Sequence, residues 1–138
     1  MTSTSTSTNA NSSTNANSTI VARSPETWGD AFQQAMRQGD VDAVLSLYEP
    51  NASFSSPAGE VRGGHAALRE AFAPQAAARA EFNFRIKHVV QSGELALVHT
   101  EWRTTRPQEA SGYALEVLRR QPDGRWLLVI GDPFTVTR

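Results

Sequence analysis

Glu116 is the residue whose type and position best suit chemistry, because it interrupts the apolar run YALEVL at residues 113–118. Strand alternation would place it on one face with Ala114 and Leu118. A carboxyl group buried on such a face has a raised pKa, since burial disfavours its charged form. Glu116 is therefore a candidate general acid or base. The alternative is a glutamate on a solvated sheet face, or one paired with an arginine such as Arg103.

Several other residues could line a ligand pocket around that carboxyl group. Val98, Thr100 and Trp102 share one strand face, and a large aromatic residue often shapes an apolar ligand site. Ordinary core packing is the alternative for these three residues. The hydroxyl of Tyr48 could donate a hydrogen bond into a cavity or reach the surface. The complete predicted lining is Phe32, Tyr48, Ser56, Val98, Thr100, Trp102 and Val129.

The remaining reactive residues exclude several kinds of site. The chain has no cysteine, so it cannot form a disulfide, a zinc–thiolate site or a thiol nucleophile. His65, His88 and His99 lack the spacing of metal ligands, so neither a metal site nor a cofactor is predicted. His88 alternates with Phe84 and Ile86, which predicts a buried structural histidine.

Helices are predicted in the first half of the chain. Residues 24–26 (SPE) are typical of a helix start, and apolar residues then recur at helical spacing until Gly39. Asp40 is predicted to cap a second helix that ends with Tyr48. A third helix is predicted over residues 65–72. Pro74 should interrupt this helix, with residues 75–80 adding a further turn or two.

Strands are predicted in the second half, over residues 81–91, 94–106, 112–121 and 125–136. These segments are rich in β-branched, aromatic and aliphatic residues. Short connections join them, so consecutive strands should pair as an antiparallel meander. Helices followed by a meander predict the α+β class, with the helices packed on one face of a curved sheet.

Composition separates a leader from a domain and narrows the partners. Sixteen of residues 1–19 are Ser, Thr or Asn, so residues 1–22 are predicted to be a disordered leader and residues 23–138 a domain. The net charge is −1 and no basic stripe is visible, which disfavours nucleic acid as a partner. The sequence has neither an apolar run of about 20 residues nor a secretory signal, so we expect a cytoplasmic protein without a membrane partner.

Four segments carry a resemblance to a known superfamily: residues 39–44 (GDVDAV), 47–54 (LYEPNASF), 63–69 (GGHAALR) and 123–126 (DGRW). Their order and spacing resemble the SnoaL-like, or nuclear transport factor 2-like, superfamily. The resemblance implies a cone-shaped, curved antiparallel sheet with three N-terminal helices packed in its concave face. It also implies that Trp102 faces the cone interior. Members include isomerases, cyclases, dehydratases and epoxide hydrolases, and others catalyse nothing known, so the fold alone does not supply the activity.

Residues 39–40 and 56–59 also resemble ketosteroid isomerases. The chemistry of that family uses a carboxylate base, a tyrosine hydroxyl and a carboxylic acid held neutral in an apolar site. Matched position by position, the base falls on Ser56, the tyrosine on Phe32 and the acid on Glu116. Serine without a partner is a poor base and phenylalanine cannot donate a hydrogen bond, so this specific activity is not predicted.

We therefore expect a small apolar or amphipathic molecule to bind in a hydrophobic pocket that carries Glu116. The alternatives are a cofactor-independent isomerase, dehydratase or hydratase, and a non-catalytic dimerisation module. The last strand is apolar on both faces, with Leu128 on one side and Leu127 on the other. Because helices can cover only one face of the sheet, a homodimer through the convex face is predicted, as the resemblance also implies.

Overall fold

The computed structural model describes residues 20–135; the predicted leader before Ile20 and residues 136–138 lie outside this range. Ile20 and Ala22, which the prediction assigned to the leader, are buried in the core. The carbonyl oxygen of Ala22 accepts a hydrogen bond from the backbone N–H of Trp126 at 2.9 Å. The packed part of the chain therefore includes these two residues.

The first two helices begin where the sequence predicted. A 3-10 turn over Pro25–Thr27 leads into helix α1 (Trp28–Arg37), and helix α2 covers Val41–Leu45. Between them Gly39 adopts a φ of +71°, which glycine takes without strain. The Asp40 side chain accepts the backbone N–H of Ala43 at 3.0 Å and so caps α2.

Helix α2 is shorter than predicted, and Tyr48 belongs to a strand instead. Strand β1 covers Tyr48–Ser55 and pairs antiparallel with the short strand β2 (Val61–Gly63). Tyr48 pairs in parallel with Leu128, whose backbone N–H donates to the Leu47 carbonyl oxygen at 2.9 Å. The apolar pattern fits a helix face and a strand equally, so this long-range pairing decides between them.

Helix α3 covers His65–Ala77 and continues through Pro74, so the predicted interruption is wrong. Pro74 lies in the last turn, where its missing N–H removes one helical hydrogen bond. The backbone N–H of Ala78 donates to the Pro74 carbonyl oxygen at 3.1 Å, which restores helical bonding beyond the proline.

The predicted four-strand meander is confirmed as β3 (Glu81–Ser92), β4 (Leu95–Arg106), β5 (Ala110–Arg120) and β6 (Trp126–Thr135). Strand β1 lies on the other side of β6, which gives the order β2-β1-β6-β5-β4-β3 within residues 20–135. The α+β class and the curved sheet are thus confirmed. The sheet is mixed rather than wholly antiparallel, because β1 and β6 run parallel.

Two register shifts decide which side chains face the core. In β3 the pairing shifts between Ile86 and His88, so His88 is exposed and its predicted burial is wrong. In β6, Leu128 pairs with Leu118 but Ile130 pairs with Val117, which leaves Val129 without a partner on β5. The core lies between the helices and the concave face of the sheet. None of the helices in the described range is long and apolar enough to cross a membrane.

Candidate functional site

A cavity of about 340 Å³, here called the main cavity, lies between helices α1 and α3 and the sheet. Its volume is at the lower end of the range typical of small-molecule sites. Its wall is mostly apolar and includes many aromatic side chains: Trp28, Phe32, Tyr48, Phe54, Phe72, Phe82, Phe84, Trp102 and Phe134. The predicted helices and meander supply most of this wall.

Phe32 of α1 is the centre of an aromatic cluster that shapes the cavity. Its ring stacks on Trp28 with centroids 5.4 Å apart, because positions four residues apart share a helix face. It also makes edge contacts with Phe72, Phe82 and Phe84, at centroid distances of 5.5, 5.3 and 5.6 Å respectively. Such mutual packing fixes the rings and leaves little conformational freedom in this wall.

The two tryptophans of the wall use their indole N–H groups within the protein. Trp28 donates to the Leu47 carbonyl oxygen at 2.9 Å, and Trp102 donates to the Pro133 carbonyl oxygen at 2.6 Å. The Trp102 ring lies against Gly112, where an added Cβ atom would come within 2.9 Å of the ring. Both indoles are therefore held in place and offer the cavity apolar surface.

Glu116 carries the acidic group of the main cavity. It lies on β5, directly between Val98 of β4 and Gly131 of β6. Burial raises the pKa of its carboxyl group to about 7. Among residues 20–135, no basic side chain lines the cavity and no side chain donates a hydrogen bond to this carboxyl group. The group can therefore gain and lose a proton near neutral pH.

Four further residues with a hydroxyl or amide group line the main cavity: Tyr48, Gln75, Thr104 and Gln108. Burial raises the pKa of the Tyr48 hydroxyl well above its usual value, and the negative charge of Glu116 raises it further. Tyr48 consequently remains a hydrogen-bond donor at neutral pH. Within residues 20–135 the buried Oε1 atom of Gln75 has no hydrogen-bond partner. An unpartnered buried amide oxygen is costly, so this group is a candidate for ligand recognition.

The structure brings together some of the residues that the sequence selected. Phe32, Tyr48, Trp102 and Glu116 all line the main cavity. Val98 and Thr100 line a smaller second cavity of about 40 Å³, which Glu116 also lines. The acidic residue thus borders two separate spaces.

Ser56 and Val129 line neither cavity, which corrects their predicted pocket-lining role. Ser56 belongs to a tight turn, where its N–H donates to the Glu60 carbonyl oxygen at 2.8 Å. Its hydroxyl oxygen accepts the Glu60 N–H at 3.2 Å. Val129 is displaced by the register shift in β6, so Leu128 and Gly131 face the main cavity instead.

Sequence reasoning missed several wall residues. Phe82 and Phe84 were visible as alternating aromatics on one strand, and Trp28 precedes Phe32 by four residues. These signals indicate burial but do not separate a cavity wall from a packed core. Gln75 gave no signal, because nothing in the sequence shows that its amide lies unpartnered beside a cavity.

The described residues, 20–135, contain no group of three or more His, Cys, Asp or Glu side chains able to hold a metal ion. Glu116, Tyr48 and Gln75 are suited instead to hydrogen bonding and proton transfer.

The sequence matches a family model described as the SnoaL-like domain over residues 30–129. This range includes most of the residues that line the main cavity. No curated protein matches the sequence at a significant level.

Solved structures of several proteins share the fold. A candidate calcium/calmodulin-dependent protein kinase type II association domain from Thiobacillus denitrificans has a TM-score of 0.66 and 19% identity, covering 83% of this chain and 98% of its own. A candidate dehydratase of the nuclear transport factor 2-like family from Streptomyces avermitilis has a TM-score of 0.63 and 23% identity, and the match covers 82% of this chain and 94% of its own. A ketosteroid isomerase-like protein from Erwinia carotovora has a TM-score of 0.62 and 20% identity, and the match covers 82% of this chain and 94% of its own. At these identities the likeness shows the fold alone.

Proposed function

The chain belongs to the SnoaL-like domain family, and from that premise we propose that it binds a small, uncharged, largely apolar molecule in the main cavity. The observation that carries the proposal is an acidic side chain, Glu116, on the wall of a mostly apolar cavity of about 340 Å³. Apolar walls with a few polar groups are typical of small-molecule sites, where the polar groups fix the ligand's orientation.

The charges of the residues around the main cavity favour an uncharged ligand over an anion. In the described part of the chain, the residues that line the main cavity include Glu116 and no lysine, arginine or histidine. An anionic ligand would therefore lose its hydration without gaining a counter-charge, and it would be repelled by ionised Glu116. A hydroxyl or carbonyl group on an apolar body could instead bond to Glu116, Tyr48 or Gln75.

Proton transfer by Glu116 is the proposed chemistry if the bound molecule reacts. A carboxyl group with a pKa of about 7 is suited to act as a general acid or base at neutral pH. Isomerisation, dehydration and hydration are reactions that such a group can promote through proton transfer, without a cofactor. Among the structural relatives, one is described as a candidate dehydratase and one as ketosteroid isomerase-like.

The protein is also proposed to form a homodimer through the convex face of the sheet. Large apolar side chains are exposed in the described part of the chain, among them Val90, Leu97 and Ile130, at 50%, 43% and 52% exposure. Exposed apolar surface of this kind favours association.

A thermal-shift screen tests the ligand proposal. Small neutral alcohols and ketones with alicyclic or aromatic bodies would be screened against the wild type and Glu116→Gln. Glu94→Gln is the matched control, because Glu94 is exposed in the turn between β3 and β4. We expect a stabilising compound whose effect falls in Glu116→Gln and persists in Glu94→Gln. An effect of equal size in all three proteins would exclude Glu116 from the binding site.

A further inference from the structure

Three side chains separate the main cavity from the second cavity. Trp28, Phe84 and Glu116 line both spaces, so they form the partition between them. Trp28 and Phe84 contribute aromatic surface, and the Trp28 indole is held by its hydrogen bond to Leu47. Glu116 is the titratable member of this partition.

The second cavity differs in character from the main one. It is lined by two exposed acidic residues, Glu26 and Asp30, which lie around the start of α1. It therefore reaches the protein surface. Its volume of about 40 Å³ has room for on the order of three water molecules. It is too small for the class of ligand proposed for the main cavity.

Thr100 adds a hydroxyl group to this second space. It is the buried polar residue of the described core, at 3% exposure, and it lines the second cavity. Its neighbour on the same face of β4 is Val98, which pairs directly with Glu116 across the strands. Thr100 is thus diagonal to Glu116, within reach of a bridging water molecule.

We propose that the second cavity is a water-binding passage that joins the carboxyl group of Glu116 to solvent, with Thr100 as the residue that positions the water. A proton leaves the Glu116 carboxyl group for the nearest water and passes along the water molecules to solvent beside Glu26 and Asp30. The reverse path returns a proton to the carboxylate. Glu116 can then exchange protons while a ligand fills the main cavity.

The charged surroundings are consistent with this passage. On the side of the second cavity the titratable groups are Glu26 and Asp30, and on the side of the main cavity the titratable group is Tyr48. No basic side chain among the described residues lines either space. The two carboxylates at the surface end attract protons, whereas a cation there would oppose their passage.

The inference rests on the acid–base role proposed for Glu116, but its test needs no ligand. The titration of the Glu116 carboxyl carbon would be followed by NMR in protein labelled with ¹³C-glutamate, with Glu116→Gln used for assignment. Thr100→Val removes the hydroxyl and keeps the shape. Thr104→Val makes the same change further along β4, at a residue that lines the main cavity only.

We expect Thr100→Val to raise the pKa of Glu116 by about half a unit or more, because the carboxylate loses hydration. Thr104→Val should leave it within about 0.2 units of the wild type. A second variant, Val98→Ile, adds a methyl group to the second cavity and should raise the pKa by displacing water. Unchanged values in Thr100→Val and Val98→Ile, or equal shifts in Thr104→Val, would overturn the proposal.

A crystal structure gives an independent readout. We expect ordered water within hydrogen-bonding distance of both the Glu116 carboxyl group and the Thr100 hydroxyl, and its loss in Val98→Ile. A second cavity that stays dry in the wild type would overturn the proposal. Failure of the proposed function would instead appear as an absence of ligands for the main cavity, with the titration unaffected.

Discussion

Glu116 on β5 lies directly opposite Gly131 on β6. Residues paired in this way point to the same face of the sheet, so the glycine leaves the space beside the carboxyl group unfilled. A Cβ atom at residue 131 would come within 3.3 Å of the Leu128 Cδ2 atom. Gly131 is not among the glycines with positive φ, so its backbone conformation does not require glycine. What the missing side chain provides is space in the cavity.

Gly131→Ala should therefore weaken ligand binding more than it weakens folding. The added methyl group narrows the main cavity beside Glu116 and makes the Leu128 side chain move by a few tenths of an ångström. We expect a several-fold loss of affinity for a neutral fluorescent probe such as 2-naphthol, and a change in unfolding free energy within about 1 kcal/mol. Fluorescence titration and urea unfolding measure the two effects.

Gly63→Ala is the control for that substitution. A Cβ atom at residue 63 would make an ordinary contact of 3.5 Å with the Ala52 carbonyl oxygen, and Gly63 does not line the main cavity. It should bind the probe as the wild type does. Equal affinity in Gly131→Ala and Gly63→Ala would show that the space beside Glu116 is not part of the binding site.

The stability of the wild type should fall as the pH rises from about 4.5 to about 7. Burial raises the pKa of Glu116 from 4.5 to about 7, so within this window the folded protein binds a proton that the unfolded chain has released. The stabilising contribution is complete below about pH 4.5 and is lost as the pH passes the folded value. The total change is on the order of 3 kcal/mol at most.

Urea unfolding of the wild type and Glu116→Gln between pH 5 and pH 8 measures this contribution. The glutamine variant has no group to ionise at this position, so its advantage over the wild type should grow with pH and level off above about pH 7. Contributions from all other side chains are common to both proteins and cancel in the difference. A difference that does not change with pH would mean that Glu116 is solvated in the folded state.

The sequence was sufficient for the fold class and for the acidic residue of the cavity. Alternation in β5 placed Glu116 with Ala114 and Leu118, and the structure has Ala114 and Leu118 buried and Glu116 on a cavity wall. These are local patterns, in which the period of the strand sets the face. The start of α1 and the Asp40 cap are likewise predicted by residues that are neighbours in the sequence.

Long-range pairing accounts for much of what the sequence could not predict. The spacing of Tyr48 predicts a helix, but its parallel pairing with Leu128 places it in β1. The register shift in β3 turns His88 away from the core face, and the shift in β6 leaves Val129 without a partner on β5. A shift of one residue turns each later side chain to the other face, and no local pattern announces it.

The charge of a ligand should decide whether it binds. None of the described residues that line the main cavity is basic, and Glu116 is largely ionised at pH 8. We expect 2-naphthol, which is neutral at this pH, to stabilise the protein against heat, and the anion 2-naphthoate of similar size to have no such effect. In Glu116→Gln the two compounds should differ less in how much they stabilise the protein, because the charge that repels the anion is absent. Equal stabilisation of the wild type by both compounds would contradict an uncharged ligand.

The convex face of the sheet carries an apolar row that crosses four strands. Val90 pairs with Leu97, Leu97 with Val117, and Val117 with Ile130, so the four side chains share one face.

If the homodimer forms through this row, the wild type should sediment as a species of about 30 kDa at tens of micromolar, twice the 15.0 kDa of one chain. Leu97→Glu would place a charge at the buried centre of the interface and should yield monomers. Val61→Glu is the matched control, since Val61 is 76% exposed on β2 and outside the row, and it should remain dimeric. A wild type that sediments only as monomers, or a dimer that persists in Leu97→Glu, would show that this apolar row does not pair with a second copy.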